Sequence, residues 1–155
     1  MIEFLFLRSA HCLRVAQTLN RLHQELGPRG FQPIAIAFGP DADMQRVSYL
    51  KGDFKLTFPV GYATPDKVDS YLARDEKEIL NIPQIVLIDR AGMIRAQSGA
   101  KGGDPTLENE NSLRSLIDDL LNEQAPRTPK KATSSAQRSC GVFQKLHWTP
   151  RPSMR

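Results

Sequence analysis

The sequence predicts an α/β domain, a mixed sheet of four to five strands with helices on both faces. Three observations carry this expectation. Short continuous apolar runs recur at residues 4–7, 33–38 and 84–89, the pattern of strands covered on both sides. Other stretches place apolar residues every three or four positions, the period of a helix with one buried stripe. The chain has 155 residues, 40% hydrophobic and 25% charged, which is material for one packed domain around one core.

The elements follow in order. Phe4 to Leu7, within the opening MIEFLFL, read as a buried strand. This opening is only about seven residues long, lacks a basic stretch before it, and leads to Arg8 and His11 with no small-residue cleavage site, so it does not read as a signal peptide. Leu13, Ala16, Leu19, Leu22 and Leu26 then form one helical stripe. Gly27-Pro28 reads as its stop, since glycine accepts a left-handed cap and proline cannot continue the helix. PIAIAF at 33–38 is a second buried strand, and two strands joined through one helix make a parallel βαβ unit.

Asp41 or Asp43 is expected to cap a short helix bearing Met44, Val47 and Leu50, with Gly52 as its end. Phe58 to Val60 reads as extended. Thr64-Pro65 combines an N-cap with the residue best tolerated in a first turn, and Val68, Tyr71 and Leu72 form the inward face of that helix. After Pro83, QIVLID is a third buried strand, DRAG at 89–92 a turn, and Met93 to Ser98 the returning arm of an antiparallel hairpin. A loop with Gly99, Gly102 and Gly103 leads to Asp104-Pro105, which opens a closing helix carrying Leu113, Leu116, Ile117, Leu120 and Leu121 on one face. The order β-α-β-α-α-β-β-α implies helices on both sides of a mixed sheet.

Charge divides the chain. Residues 1–122 hold 14 Lys and Arg against 16 Asp and Glu, whereas 123–155 hold 7 against one. The domain, placed at 1–122, therefore offers no basic nucleic-acid surface, and the high pI belongs to the segment after it. That segment carries Pro126, Pro129, Pro150 and Pro152, and its apolar residues have no sustained period. Too little burial is available there to offset ordering entropy of roughly 1–2 kcal/mol per residue, so 123–155 is expected to be a disordered basic tail. No apolar run approaches the roughly 20 residues of a spanning helix. Two cysteines, Cys12 and Cys140, cannot make a disulfide framework. His11, His23 and His147 lie too far apart for the short repeated spacing of a zinc site.

The chemistry concentrates at Ser9-Ala10-His11-Cys12, where a strand turns sharply into an amphipathic helix and a thiol meets the unpaired N–H groups of the helix start. A helix start favours an anion by about 0.3–1 kcal/mol, while burial disfavours the thiolate and can cancel that gain. Two readings of Cys12 stand open, a reactive thiol and an inert buried one. Ser9 reads as a helix cap in either case. His11 reads as an exposed turn residue or as a cationic neighbour favouring thiolate, and His23 as structural.

FLFLRSAHCLRVAQTL, then PIAIAF, then NIPQIVLIDRAGMIRAQSG and a final leucine-rich helix resemble a TlpA-like member of the thioredoxin superfamily across about residues 2–122. The resemblance implies the thioredoxin fold and thiol-disulfide oxidoreductase activity on protein or small-molecule thiols and disulfides, with no metal or organic cofactor. Cys12 falls on the second cysteine of the family's CxxC, Ser9 on the first, and Pro83, after Ile82, on the cis-proline that walls the substrate groove. Cys12, Ser9 and His11 are thus the candidate catalytic residues, and Pro83 and Ile82 the candidate groove. A serine cannot replace the attacking sulfur, so the dithiol cycle is incomplete and one cysteine must act alone. The redox reading requires Cys12 near the surface beside Pro83.

Peroxiredoxins share the superfamily, and Ser9 and Cys12 match their PxxxT/SxxC, although Leu5 replaces the proline and Pro83 stands where an arginine is expected. A one-cysteine peroxidase and a noncatalytic interaction module on the same fold are the alternatives. TlpA-like domains also carry a strand pair before the first strand found here. As written, the sequence is expected to be cytoplasmic; a start upstream of Met1 would add that pair and an export signal.

Overall fold

A computed structural model describes residues 1–75, 77, 79–99 and 104–123. The expected basic tail, with Cys140, lies outside the described residues from 124 onward. The elements are β1 (Ile2–Leu5), α1 (Ala10–Leu26), β2 (Ile34–Ala37), α2 (Met44–Asp53), β3 (Val60–Tyr62), α3 (Pro65–Tyr71), β4 (Gln84–Ile88), β5 (Ile94–Gln97), α4 (Pro105–Glu108) and α5 (Glu110–Asn122). One five-stranded sheet has the order β3-β2-β1-β4-β5.

β1, β2 and β3 run parallel, with Ile2 opposite Ile34 and Ala35 opposite Val60. β4 runs antiparallel to β1, with Ile2 opposite Val86 and Phe4 opposite Gln84, and β5 antiparallel to β4. Side chains alternate across the sheet, as a pleat requires. Leu5, Ala35, Ala37, Ile85 and Leu87 share a core with Val15, Leu19 and Leu22 of α1 and with Leu113 and Ile117 of α5. Phe4, Phe38 and Val86 form a second cluster with Val68 of α3. Helices therefore cover both faces.

Several boundaries depart from the sequence expectation. The first strand is Ile2–Leu5 rather than residues 4–7, because Phe6 and Leu7 already belong to the connection into α1. Gly27 does not stop α1 in a left-handed conformation. Its φ of −54° is helical, the chain tightens into a 3-10 turn over Gly27–Arg29, and Gly30 takes the positive φ of 108°. Gly52 lies inside α2, which runs to Asp53; the left-handed residue that follows is Lys55, at φ 49°. Asp43 is the cap of α2, its side chain accepting the Arg46 N–H at 2.8 Å. The closing helix is broken in two at Asn109, which ends α4 and caps α5 by accepting from Asn111 and Ser112. Extended residues near 58–60 become the edge strand β3, shifted to Val60–Tyr62.

Candidate thiol site

The connection from β1 to α1 positions the site. Ser9 has extended backbone (φ −86°, ψ 110°) and its Oγ accepts the Cys12 N–H at 3.3 Å, satisfying one orphan donor of the helix start. Ser9 is thus the expected cap. Cys12 occupies the first turn of α1 and is wholly buried, at 0% exposure. The sequence placed the inward stripe on Leu13, Ala16 and Leu19, but the buried residues are Cys12, Val15, Ala16 and Leu19, with Leu13 half-buried. The same periodicity that packs α1 on the sheet turns the sulfur inward.

Burial pushes the Cys12 thiol above its ordinary value. Hydrogen bonding from the Ser9 hydroxyl and from backbone at Phe6 and Cys12 pulls the other way, and the Glu3 carboxyl adds to the upward push. These hydrogen bonds favour the thiolate, but desolvation outweighs them.

Pro83 and Ile82 belong to the same region. The register sets Gln84 opposite Phe4, so Pro83 stands one residue further along, level with the end of β1 where the connection to Cys12 begins. The Ile82–Pro83 bond is cis, Pro83 is buried and Ile82 half-buried. The structure thus brings the two predicted halves of the site to one end of the sheet. It also seals the sulfur that the redox reading wanted near the surface.

His11 has its side chain 42% exposed, and its Nε2 lies 2.9 Å from Oε2 of Glu108, whose side chain is only 14% exposed. His11 is therefore tied to α4 rather than free in the turn. Half-buried His23 contacts the Thr57 hydroxyl through Nδ1 at 2.8 Å, a structural place as expected.

Sequence reasoning missed two acidic residues. Glu3 is 0% exposed, its carboxylate oxygens lack a hydrogen-bond partner, and burial pushes its carboxyl well above the usual carboxylate range. It has the parity of Leu5, so it points to the face that α1 covers. A lone acid inside MIEFLFL was the available signal. Glu108 had none, because only the tertiary fold brings it to His11.

A cleft of about 250 Å³ runs beside the site between the β1–α1 connection and α2, lined by Leu7, Leu13, Tyr49, Leu50 and Phe54 and edged by the Arg8–Asp41 ion pair at 3.1 Å. A cavity of about 300 Å³ at Met1, Phe31, Leu87 and Ile117 lies at the opposite end of β1, away from Cys12. Among the described residues no helix is long and apolar enough to cross a membrane, and no cluster of three His, Cys, Asp or Glu could hold a metal ion.

No family model matches the chain, and no curated protein does. Solved structures do. A thioredoxin-family thiol:disulfide interchange protein from Chlorobium tepidum TLS is similar at 17% identity and a TM-score of 0.61, over 77% of this chain and 77% of that one. A putative thioredoxin from Neisseria meningitidis is 23% identical, with a TM-score of 0.58 over 77% and 71% of the two chains. The thioredoxin domain of a thiol-disulfide oxidoreductase from Bacteroides vulgatus is 17% identical, with a TM-score of 0.58 over 78% and 77%. At such identities what is shared is architecture, and with the sheet order and the helices on both faces it establishes that this chain has the thioredoxin fold.

Proposed function

We propose that the chain is a thiol-disulfide oxidoreductase-like protein of the TlpA-like kind that acts through one sulfur, Cys12. The observation that carries the reading is the placement of this thiol in the opening turn of α1, beside the Ser9 hydroxyl and at the sheet end that also holds Pro83; because Cys12 is wholly buried, the reaction requires that this turn first uncover the sulfur. In the reaction, the Cys12 thiolate attacks one sulfur of a substrate disulfide R–S–S–R′. Cys12–S–S–R forms and R′–S⁻ leaves. Ser9 offers no second sulfur, so an external thiol must supply the electron pair that releases R and regenerates Cys12. The Ser9 hydroxyl donates a hydrogen bond to the sulfur, and Pro83 and Ile82 wall the groove for an extended peptide or small thiol substrate.

The raised thiol makes this exchange slow at neutral pH, because only the thiolate attacks. Cys12 should alkylate with a midpoint above the roughly 8.5 of a free cysteine, and hydroperoxide consumption should be negligible. The decisive comparison is insulin-disulfide reduction by the natural protein, Cys12→Ser and Ser9→Cys. Activity should be low in the natural protein, absent in Cys12→Ser and strongly raised in Ser9→Cys. A Ser9→Cys protein as inactive as Cys12→Ser would mean that the site has been misassigned.

One observation favours a second reading. With no surface at all on Cys12, a noncatalytic module that uses the groove and leaves the sulfur unreacted is also consistent with the geometry. It predicts that Cys12→Ser binds an extended peptide as tightly as the natural protein does, with neither turning it over.

A further inference from the structure

We propose that Glu108 is a positioning residue that acts on Cys12 through His11: it fastens α4 against the first turn of α1, so that the sulfur is closed off until the pair parts. The inference rests on the reading of Cys12 as the working sulfur and adds what governs access to it.

Three observations converge. First, α4 is a single turn of four residues, capped by Asp104 and ended at Asn109, so its own helical hydrogen bonds give it little independent stability. Its buried residue, Leu107 at 1% exposure, belongs to the same core cluster as Cys12. Second, the contact between Glu108 Oε2 and His11 Nε2 at 2.9 Å joins this turn to the residue directly before the buried thiol. Third, Glu108 Oε1 is buried and has no hydrogen-bond partner. One oxygen is thus without a protein partner, a cost that the His11 contact at the other oxygen offsets only in part. What the placement does achieve is a link between α4 and the residue beside Cys12.

The ion pairs between α1 and α5 differ from it in place and setting. Arg21–Glu110 and Arg114–Glu25 lie on later turns of α1, with the Arg21 and Glu25 side chains more than half exposed. Their loss would loosen α5 without uncovering residue 12.

The test is the rate of Cys12 alkylation by iodoacetamide on the full chain at fixed pH, read by peptide mass mapping so that Cys140 is not counted. Glu108→Ala and His11→Ala should each react about three- to tenfold faster than the natural protein, the range expected when one hydrogen bond stops holding a closed state. The double variant should go no faster than either single one, since both remove the same link. Glu108→Gln should return to nearly the natural rate, because its amide oxygen still accepts from the imidazole. Arg21→Ala should leave the rate unchanged.

Glu108→Ala reacting at the natural rate would overturn the proposal, as would Arg21→Ala producing the same acceleration or Glu108→Gln failing to restore closure. His11 is half exposed, so His11→Ala keeps the test valid if Glu108→Ala does not fold. Alkylation does not depend on redox turnover. If insulin reduction by Ser9→Cys succeeds and these rates do not move, the gate fails and the function stands; the converse result separates them the other way.

Discussion

At the scale of single residues, Glu3 is the most exacting feature of the molecule. A carboxyl with no exposure and no hydrogen-bond partner is disfavoured in its charged form, which is why burial raises it. An acid whose folded value lies above its unfolded value binds more protons when folded. Its contribution is therefore fully present below the unfolded value of about 4.5 and is lost as pH rises towards the folded one. Glu3→Gln should flatten this decline, losing less stability between pH 5 and pH 8 than the natural protein does. Urea unfolding at pH 5 and pH 8 measures both proteins, and parallel trends would remove Glu3 from the account. The same substitution should make Cys12 easier to ionise, because the carboxyl contributes to raising it. Ser9 was legible as a cap because its chemistry is local. Glu3 was visible but passed over, and Glu108 was invisible, since its partner comes from a distant segment.

At the scale of elements, α1 is fixed by more than its apolar stripe. Asn20, 9% exposed, donates to the Lys55 carbonyl at 3.2 Å and accepts from the Thr57 N–H at 2.8 Å and the Thr57 hydroxyl at 2.9 Å. It thereby pins the connection between α2 and β3, including the left-handed Lys55. Asn20→Ala leaves those backbone groups without their partner and should cost about 1–3 kcal/mol in urea unfolding. A loss no larger than that of an exposed change such as Gln17→Ala would refute this role. The strands were readable because a run of apolar residues behaves alike whatever follows it. Helix ends were not. Gly27 and Gly52 carry the residue type of a stop, yet backbone packing placed the left-handed turns at Gly30 and Lys55 instead. The break at Asn109 falls between buried Leu107 and buried Leu113, six residues apart, which one straight helix would not set on the same face.

At the scale of the whole molecule, the layer between α1, α5 and the sheet outweighs the ion pairs that decorate it. Arg21–Glu110, Arg114–Glu25 and Arg29–Asp118 tie α5 to α1 and to the turn after it at the rim of one helical layer, where partly exposed pairs contribute about 0–1 kcal/mol each. Leu113 is fully buried, and truncating such a leucine to alanine costs about 2–5 kcal/mol. Raising sodium chloride to 1 M should therefore shift the melting temperature by only a few degrees, whereas Leu113→Ala should lower it far more; the reverse ranking in a thermal melt would show that the rim charges govern the fold. The layers, the parallel β1–β2 pair and the β4–β5 hairpin followed from the alternation of strand and helix patterns, whereas the central place of β1, between β2 and β4, comes from the tertiary fold.

The two borders of the sheet have a consequence for behaviour at high concentration. β3 is only three residues long, and β5 presents Arg95, whose guanidinium is clamped by Glu123 at 2.7 Å and Asp89 at 3.2 Å. A neighbouring molecule seeking to extend the ladder meets a stub on one side and a fixed cation on the other, and both discourage the edge-to-edge stacking from which fibrils grow.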